Sequence, residues 1–133
     1  MALDIFEVYA TDEDAEEKGV WFPLGEETEL LIARDGNDEC EQLVERLMIE
    51  NADKLSAGGE ESKAVQRKIE IEVTAATILK GWKKLKYKGE MLDYSEDNAR
   101  MLLAHKDFRR RVLFNARQRD AYALKHEEAV TKN

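Results

Sequence analysis

The apolar residues between Glu61 and Trp82 constrain this chain more than any other stretch. Val65, Ile69, Val73, Ala76, Leu79 and Trp82 recur at spacings of three and four, which predicts one long amphipathic helix over 61–82. A helix of that kind must bury its stripe against other elements, and three further segments carry matching patterns. Cys40, Leu43, Val44, Leu47 and Met48 form a helical stripe behind Asn37, a good N-cap residue, and the pattern breaks at Gly58-Gly59. Near the C-terminal end, Ser95 is placed to cap a short helix with Ala99, Leu102 and Leu103 on its apolar face. Asp107 is the expected N-cap of a last helix burying Phe108, Val112, Leu113, Ala116 and Tyr122.

The segment before Asn37 reads as β structure. The alternation of "DIFEVY" predicts a short strand, "ATDEDAEEKG" an acidic connector, and "VWFPL" with "TELLIAR" a hairpin. Pro23 cannot donate to a ladder, which places the first arm at a sheet edge. Between the second and third helices, Tyr87-Lys88-Gly89-Glu90 supplies a turn and residues 91–94 an extended joint. The fold class is therefore α+β: a small N-terminal antiparallel β-sheet or hairpin followed by about four α-helices that form most of the core. We expect a single domain over 1–133, with a β-rich acidic part at 1–35, a helical part at 37–126 and a frayed polar tail at 127–133.

With 133 residues, such a domain buries enough surface to need neither disulfide nor metal. Cys40 is the only cysteine, so no internal disulfide exists. No run has the apolar length of a membrane span, and the acidic N-terminus lacks a signal peptide's layout, so an intracellular protein is expected. The net charge of −8 is unevenly spread: residues 1–35 hold eleven acids and two bases, residues 80–119 twelve bases and five acids. Two faces of opposite sign can attract each other within one molecule or between copies, and overall acidity argues against a dedicated nucleic-acid binder.

Catalytic patterns are missing from the sequence. His105 and His126 have no partners at metal-ligand spacing, Cys40 lies on an apolar stripe, Ser95 is explained by capping, and Gly58-Gly59 lacks the lysine of a phosphate loop. We expect no enzyme, no cofactor and no metal. The remaining candidates are partner-binding residues. Trp82, Tyr87 and Tyr94 belong to the joint, and "FRRRV" places Arg109, Arg110 and Arg111 around nearly a full helical turn. Trp82 reads first as core, in register with Leu79. Tryptophan, tyrosine and arginine are also the residues favoured at interface hot spots.

Two blocks resemble a known family. "EKGVWFPLGEETELLIARDGN" is similar to the opening of tail assembly chaperones from long-tailed phages and prophages, which have a G-V-W strand, an acidic turn and a strand ending A-R. The later block, a helix ending in Trp82 followed by "LDYSEDNARMLL" and a helix opening on an aromatic residue, is similar too, so the resemblance runs from about residue 17 to 122. It implies a non-enzymatic protein that binds the tape measure protein, keeps it soluble, helps recruit tail tube subunits and leaves before the tail is finished. It further implies action in the host bacterial cytoplasm, with self-association as an additional expectation. The walls of a client groove would be the 61–82 helix and the last helix. The lysine-rich joint and the arginine triplet are more basic than that family pattern. They keep open the alternatives of a small nucleic-acid-associated regulator using the 80–119 surface and of a structural or adaptor tail protein.

Overall fold

The computed structural model describes residues 1–124. The expected end of the helical part at 126 and the tail at 127–133 lie outside the described residues. The protein is an α+β structure in which a small sheet is packed under helices. Strands β1 (Val20–Gly25) and β2 (Thr28–Ile32) form the expected hairpin, pairing Val20 with Ile32 and Phe22 with Leu30. Pro23 lies on β1, an outer strand, where its missing N–H costs no ladder bond to a further strand.

The long helix ends early. Helix α5 runs over Gly59–Val73 and is followed by one π-helical turn, Thr74–Ile78, after which Leu79–Lys83 becomes strand β3. Strand β3 pairs antiparallel with β2 and makes it the central strand. The two threonines mark the exit: Thr74 Oγ1 donates to the Glu70 carbonyl at 2.6 Å and Thr77 Oγ1 to the Val73 carbonyl at 2.7 Å. Such back-bonding competes with the helical ladder, and β-branched residues favour leaving it.

The three-residue spacing of Leu79 and Trp82, read as helical, has a different cause. Ile32 pairs with Leu79, Leu31 with Gly81 and Leu30 with Trp82, so Lys80 is an extra residue in β3. This β-bulge lets Leu79 and Trp82 share a face with Ile32 and Leu30 while Lys80 turns out to Glu39. The expected helix over 61–82 is thus corrected to a helix, a π turn and a bulged strand.

The N-terminal expectations change as well. "DIFEVY" is not a strand: Ile5–Tyr9 is a short helix, α1, because Asp4 accepts hydrogen bonds from the Phe6 and Glu7 amides. The acidic connector contains a second short helix, α2 (Glu13–Lys18), capped by Asp12 and enriched in acids in its first turn. It ends at Gly19, whose φ of +101° and close approach to Leu31 and Ile32 leave no comfortable place for a Cβ.

Asn37 caps α3 (Asp38–Glu50) through the Cys40 amide, and α4 (Ala52–Ser56) leads to the glycine pair. Lys86–Tyr87 and Glu90–Met91 form the tiny strands β4 and β5 around the turn at Lys88-Gly89. Ser95 caps α6 (Glu96–Leu103) as expected. The last helix, α7 (Lys106–Ala116), begins two residues earlier than predicted: His105 occupies the N-cap position and Asp107 sits in the first turn, where the helix dipole also favours it.

One contiguous core joins sheet and helices. Leu30, Ile32, Ile78, Leu79, Leu103 and Val112 are fully buried, and Tyr122 closes the core under the hairpin. The Tyr122 hydroxyl donates to the Ile32 carbonyl at 2.9 Å, and its burial pushes the phenol pKa well above the ordinary value.

Candidate partner-binding site

The joint between β3 and α6 is built inward. Trp82 is 8% exposed, and its indole Nε1–H donates to the Leu92 carbonyl at 2.7 Å. Tyr94 meets the indole edge-on, with ring centroids 5.0 Å apart, and donates its hydroxyl to the Leu79 carbonyl at 2.9 Å. Burial, then the nearby Glu96 carboxylate, raises the Tyr94 pKa. Tyr87 reaches across to His105 Nε2 at 3.0 Å, and Lys88 lies over its ring. A buried tryptophan with its N–H satisfied by a backbone carbonyl has no open π-face for a base, so the joint is a clip that fastens the start of α6 to the sheet.

The arginine triplet divides by the helical fan. Arg109 is buried: its Nη1 donates to the Leu103 carbonyl at 2.8 Å and its Nε lies 3.6 Å from Glu70. It ties α7 to the end of α6 and to α5. Arg110 and Arg111 are exposed and make no ion pair among the described residues. The six candidates therefore do not form one site, since Trp82 and Arg109 are internal fastenings and only the other four reach the surface.

Much of the basic 80–119 region is neutralised from within. Lys80 pairs with Glu39, Lys84 with Glu27 and Arg117 with Asp35, each bridging distant parts of the chain. Arg100 grips both Glu72 oxygens, at 2.7 and 2.9 Å, and also meets Glu96 and Asp97. Hydrogen bonding from Arg100 holds the Glu72 carboxyl below its usual pKa despite some desolvation. The expected attraction between faces of opposite sign is realised inside the molecule.

An open apolar surface lies elsewhere. A groove of about 200 Å³ opens between α3, α5 and α7, with Cys40, Val44, Met48, Ile69, Val73 and Leu113 in its lining. The Cys40 thiol is buried at the groove's base. The stripe on α3 is wider than the core it serves: Leu43 and Leu47 are half-buried, while Val44 and Met48 remain 36% and 47% exposed. Two ion pairs stand at the rim, Asp35 with Arg117 at 2.8 Å and Glu70 with Arg109 at 3.6 Å. Aliphatic lining with charged edges suits the apolar side of an amphipathic helix. Sequence periodicity named these residues, and the family resemblance set the 61–82 helix and the last helix as groove walls; the part played by α3 was not expected. The available signal on α3 was excess: five apolar positions on one stripe, of which only Cys40 is buried.

Among the described residues no group of three or more histidine, cysteine, aspartate or glutamate side chains is arranged to hold a metal ion, and no helix is long and apolar enough to cross a membrane. No match was found among curated proteins or among solved structures. The model of one family, described as the YdaY prophage protein, matches residues 35–133, from the turn after β2 onward, and the chain belongs to that family.

Proposed function

We propose that this prophage protein is a non-enzymatic tail assembly chaperone that binds the tape measure protein, keeps it soluble in the host cytoplasm and helps recruit tail tube subunits. The observation that carries the reading is the groove between α3, α5 and α7, whose exposed Val44 and Met48 continue an apolar floor outward between two charged rims. A tape measure segment is a long amphipathic helix that aggregates when bare, and helix-in-groove binding hides one face of it. Membership of a prophage family supports the setting, and the net charge of −8 helps keep a loaded complex in solution.

A second reading, a nucleic-acid-associated regulator, keeps one specific support in Arg110 and Arg111, exposed on α7 and without an ion pair among the described residues. Salt separates the two. Co-expression with a tape measure protein from a long-tailed phage, followed by pull-down at low and high salt, is expected to give soluble, salt-tolerant co-purification. Failure of capture together with steeply salt-sensitive retention on nucleic acid would replace the chaperone reading with the second one.

A further inference from the structure

Helix α1 is formed but not packed. None of its residues is buried, and Ile5, Phe6 and Tyr9 are 61%, 70% and 55% exposed, with Leu3 beside them at 68%. A five-residue helix has little stability of its own, since nucleation is costly and the apolar side gains nothing in water. What positions it is polar: the Asp4 cap, the Arg119 guanidinium donating to the Val8 carbonyl at 2.8 Å, and the same guanidinium over the Tyr9 ring. Just beyond, Thr11 bridges to Ala123 and the Asp12 amide donates to the Tyr122 carbonyl. These contacts hold α1 beside the 3-10 turn Arg119–Tyr122 and leave its apolar side facing outward.

A second, larger groove lies on the other flank of α5. It has a volume of about 430 Å³ and is lined by residues of α3, α4, α5 and α6 and by Asn51 between α3 and α4. Its apolar lining is Leu47, Val65, Ile69 and Ile71, all half-buried, so it is covered too little to be core. Lys54 and Lys68 stand on its edge and make no ion pair among the described residues. The only acid in the lining, Glu72, is already held by Arg100.

We infer that this groove receives the segment from Leu3 to Tyr9 of a second copy of the chain. The match is one of both shape class and charge. Leu3, Ile5 and Phe6 supply an apolar insert interrupted by Asp4 and Glu7, and the groove supplies an aliphatic floor edged by Lys54 and Lys68. The segment does not line its own copy's groove, so a single such contact is heterologous and leaves one insert and one groove of the pair free. The contact is small, so association is weak and concentration-dependent.

Sedimentation equilibrium over a wide concentration range tests this with the full chain. The wild-type average mass is expected to rise from the monomer's 15.3 kDa with concentration. Phe6→Asp, and separately the pair Lys54→Glu with Lys68→Glu, are expected to stay at monomer mass; all three positions are exposed, so folding is not at stake. Mixing the two variants leaves one intact insert and one intact groove, and is expected to restore a complex of two chains and nothing larger. A wild type that stays monomeric at every concentration overturns the inference. So does association that survives Phe6→Asp, or a mixture that remains monomeric when the wild type associates.

Discussion

The joint from Leu79 to Tyr94 and the groove between α3, α5 and α7 use opposite materials for opposite ends. The joint holds the tryptophan, tyrosine and lysine residues that an interface is expected to show, yet its indole and one phenol are spent on backbone carbonyls of Leu92 and Leu79. The groove has no aromatic residue and an apolar floor of aliphatic side chains, a thiol and methionine inside a polar, charged edge, yet it stays open. Polar aromatic side chains with a partner for every N–H and O–H make a rigid fastening. Methionine and valine without such demands make an adaptable receiving surface. Residue type therefore suggests a binding role, but satisfaction of polar atoms decides it.

Mutations can break this contrast, and the largest effect belongs to the joint. Trp82→Ala removes a buried ring and its hydrogen bond, and is expected to cost about 3–5 kcal/mol in urea unfolding, enough to unfold much of the protein. A folded, stable Trp82→Ala protein would show that the joint is not a fastening. Arg109→Ala leaves the Leu103 carbonyl at the end of α6 without its donor and Glu70 without its cation, with an expected loss of about 1–3 kcal/mol. Arg110→Ala, one position along, is expected to change stability by no more than about 0.5 kcal/mol, which sharpens the split within the triplet.

The contrast between Trp82 and Val44 also shows what was legible in the sequence. The α+β class, the Val20–Ile32 hairpin, the caps at Asn37 and Ser95 and the turn at Lys88-Gly89 were readable because each rests on local chemistry: alternation, a capping side chain, a glycine. The end of α5 was not, because the Lys80 bulge gives a strand the three-residue spacing of a helix. The N-terminal helices were missed for a related reason. "DIFEVY" alternates as a strand does, but Asp4 ahead of it caps a helical turn. Of the site, the identities of the groove residues were legible as a stripe. Their exposure was not, because it depends on how far apart α3, α5 and α7 sit.

Alkaline pH offers a milder way to loosen the core beneath the hairpin. Tyr122 and Tyr94 both have pKa values raised above 10.0, mainly by burial, so the folded state holds their protons more tightly than the unfolded chain. Their contribution is complete below pH 10 and is lost as pH rises through their folded-state values. Unfolding free energy is expected to fall as pH climbs past about 10, and Tyr122→Phe is expected to flatten that fall while costing about 1 kcal/mol at neutral pH. An unchanged alkaline slope in Tyr122→Phe would remove Tyr122 from the explanation.

The smallest effect on stability should accompany the largest effect on binding. Met48→Asp places a carboxylate on a half-exposed groove wall and is expected to shift stability by no more than about 0.5 kcal/mol. The most direct measurement is therefore calorimetric titration of a tape measure segment into wild type, Met48→Asp and Arg110→Ala at physiological salt. The account predicts binding by wild type and Arg110→Ala, with a loss of tenfold or more, about 1.4 kcal/mol, in Met48→Asp. Full binding by Met48→Asp, or no binding by the wild type, would contradict the assignment of the groove as the client site.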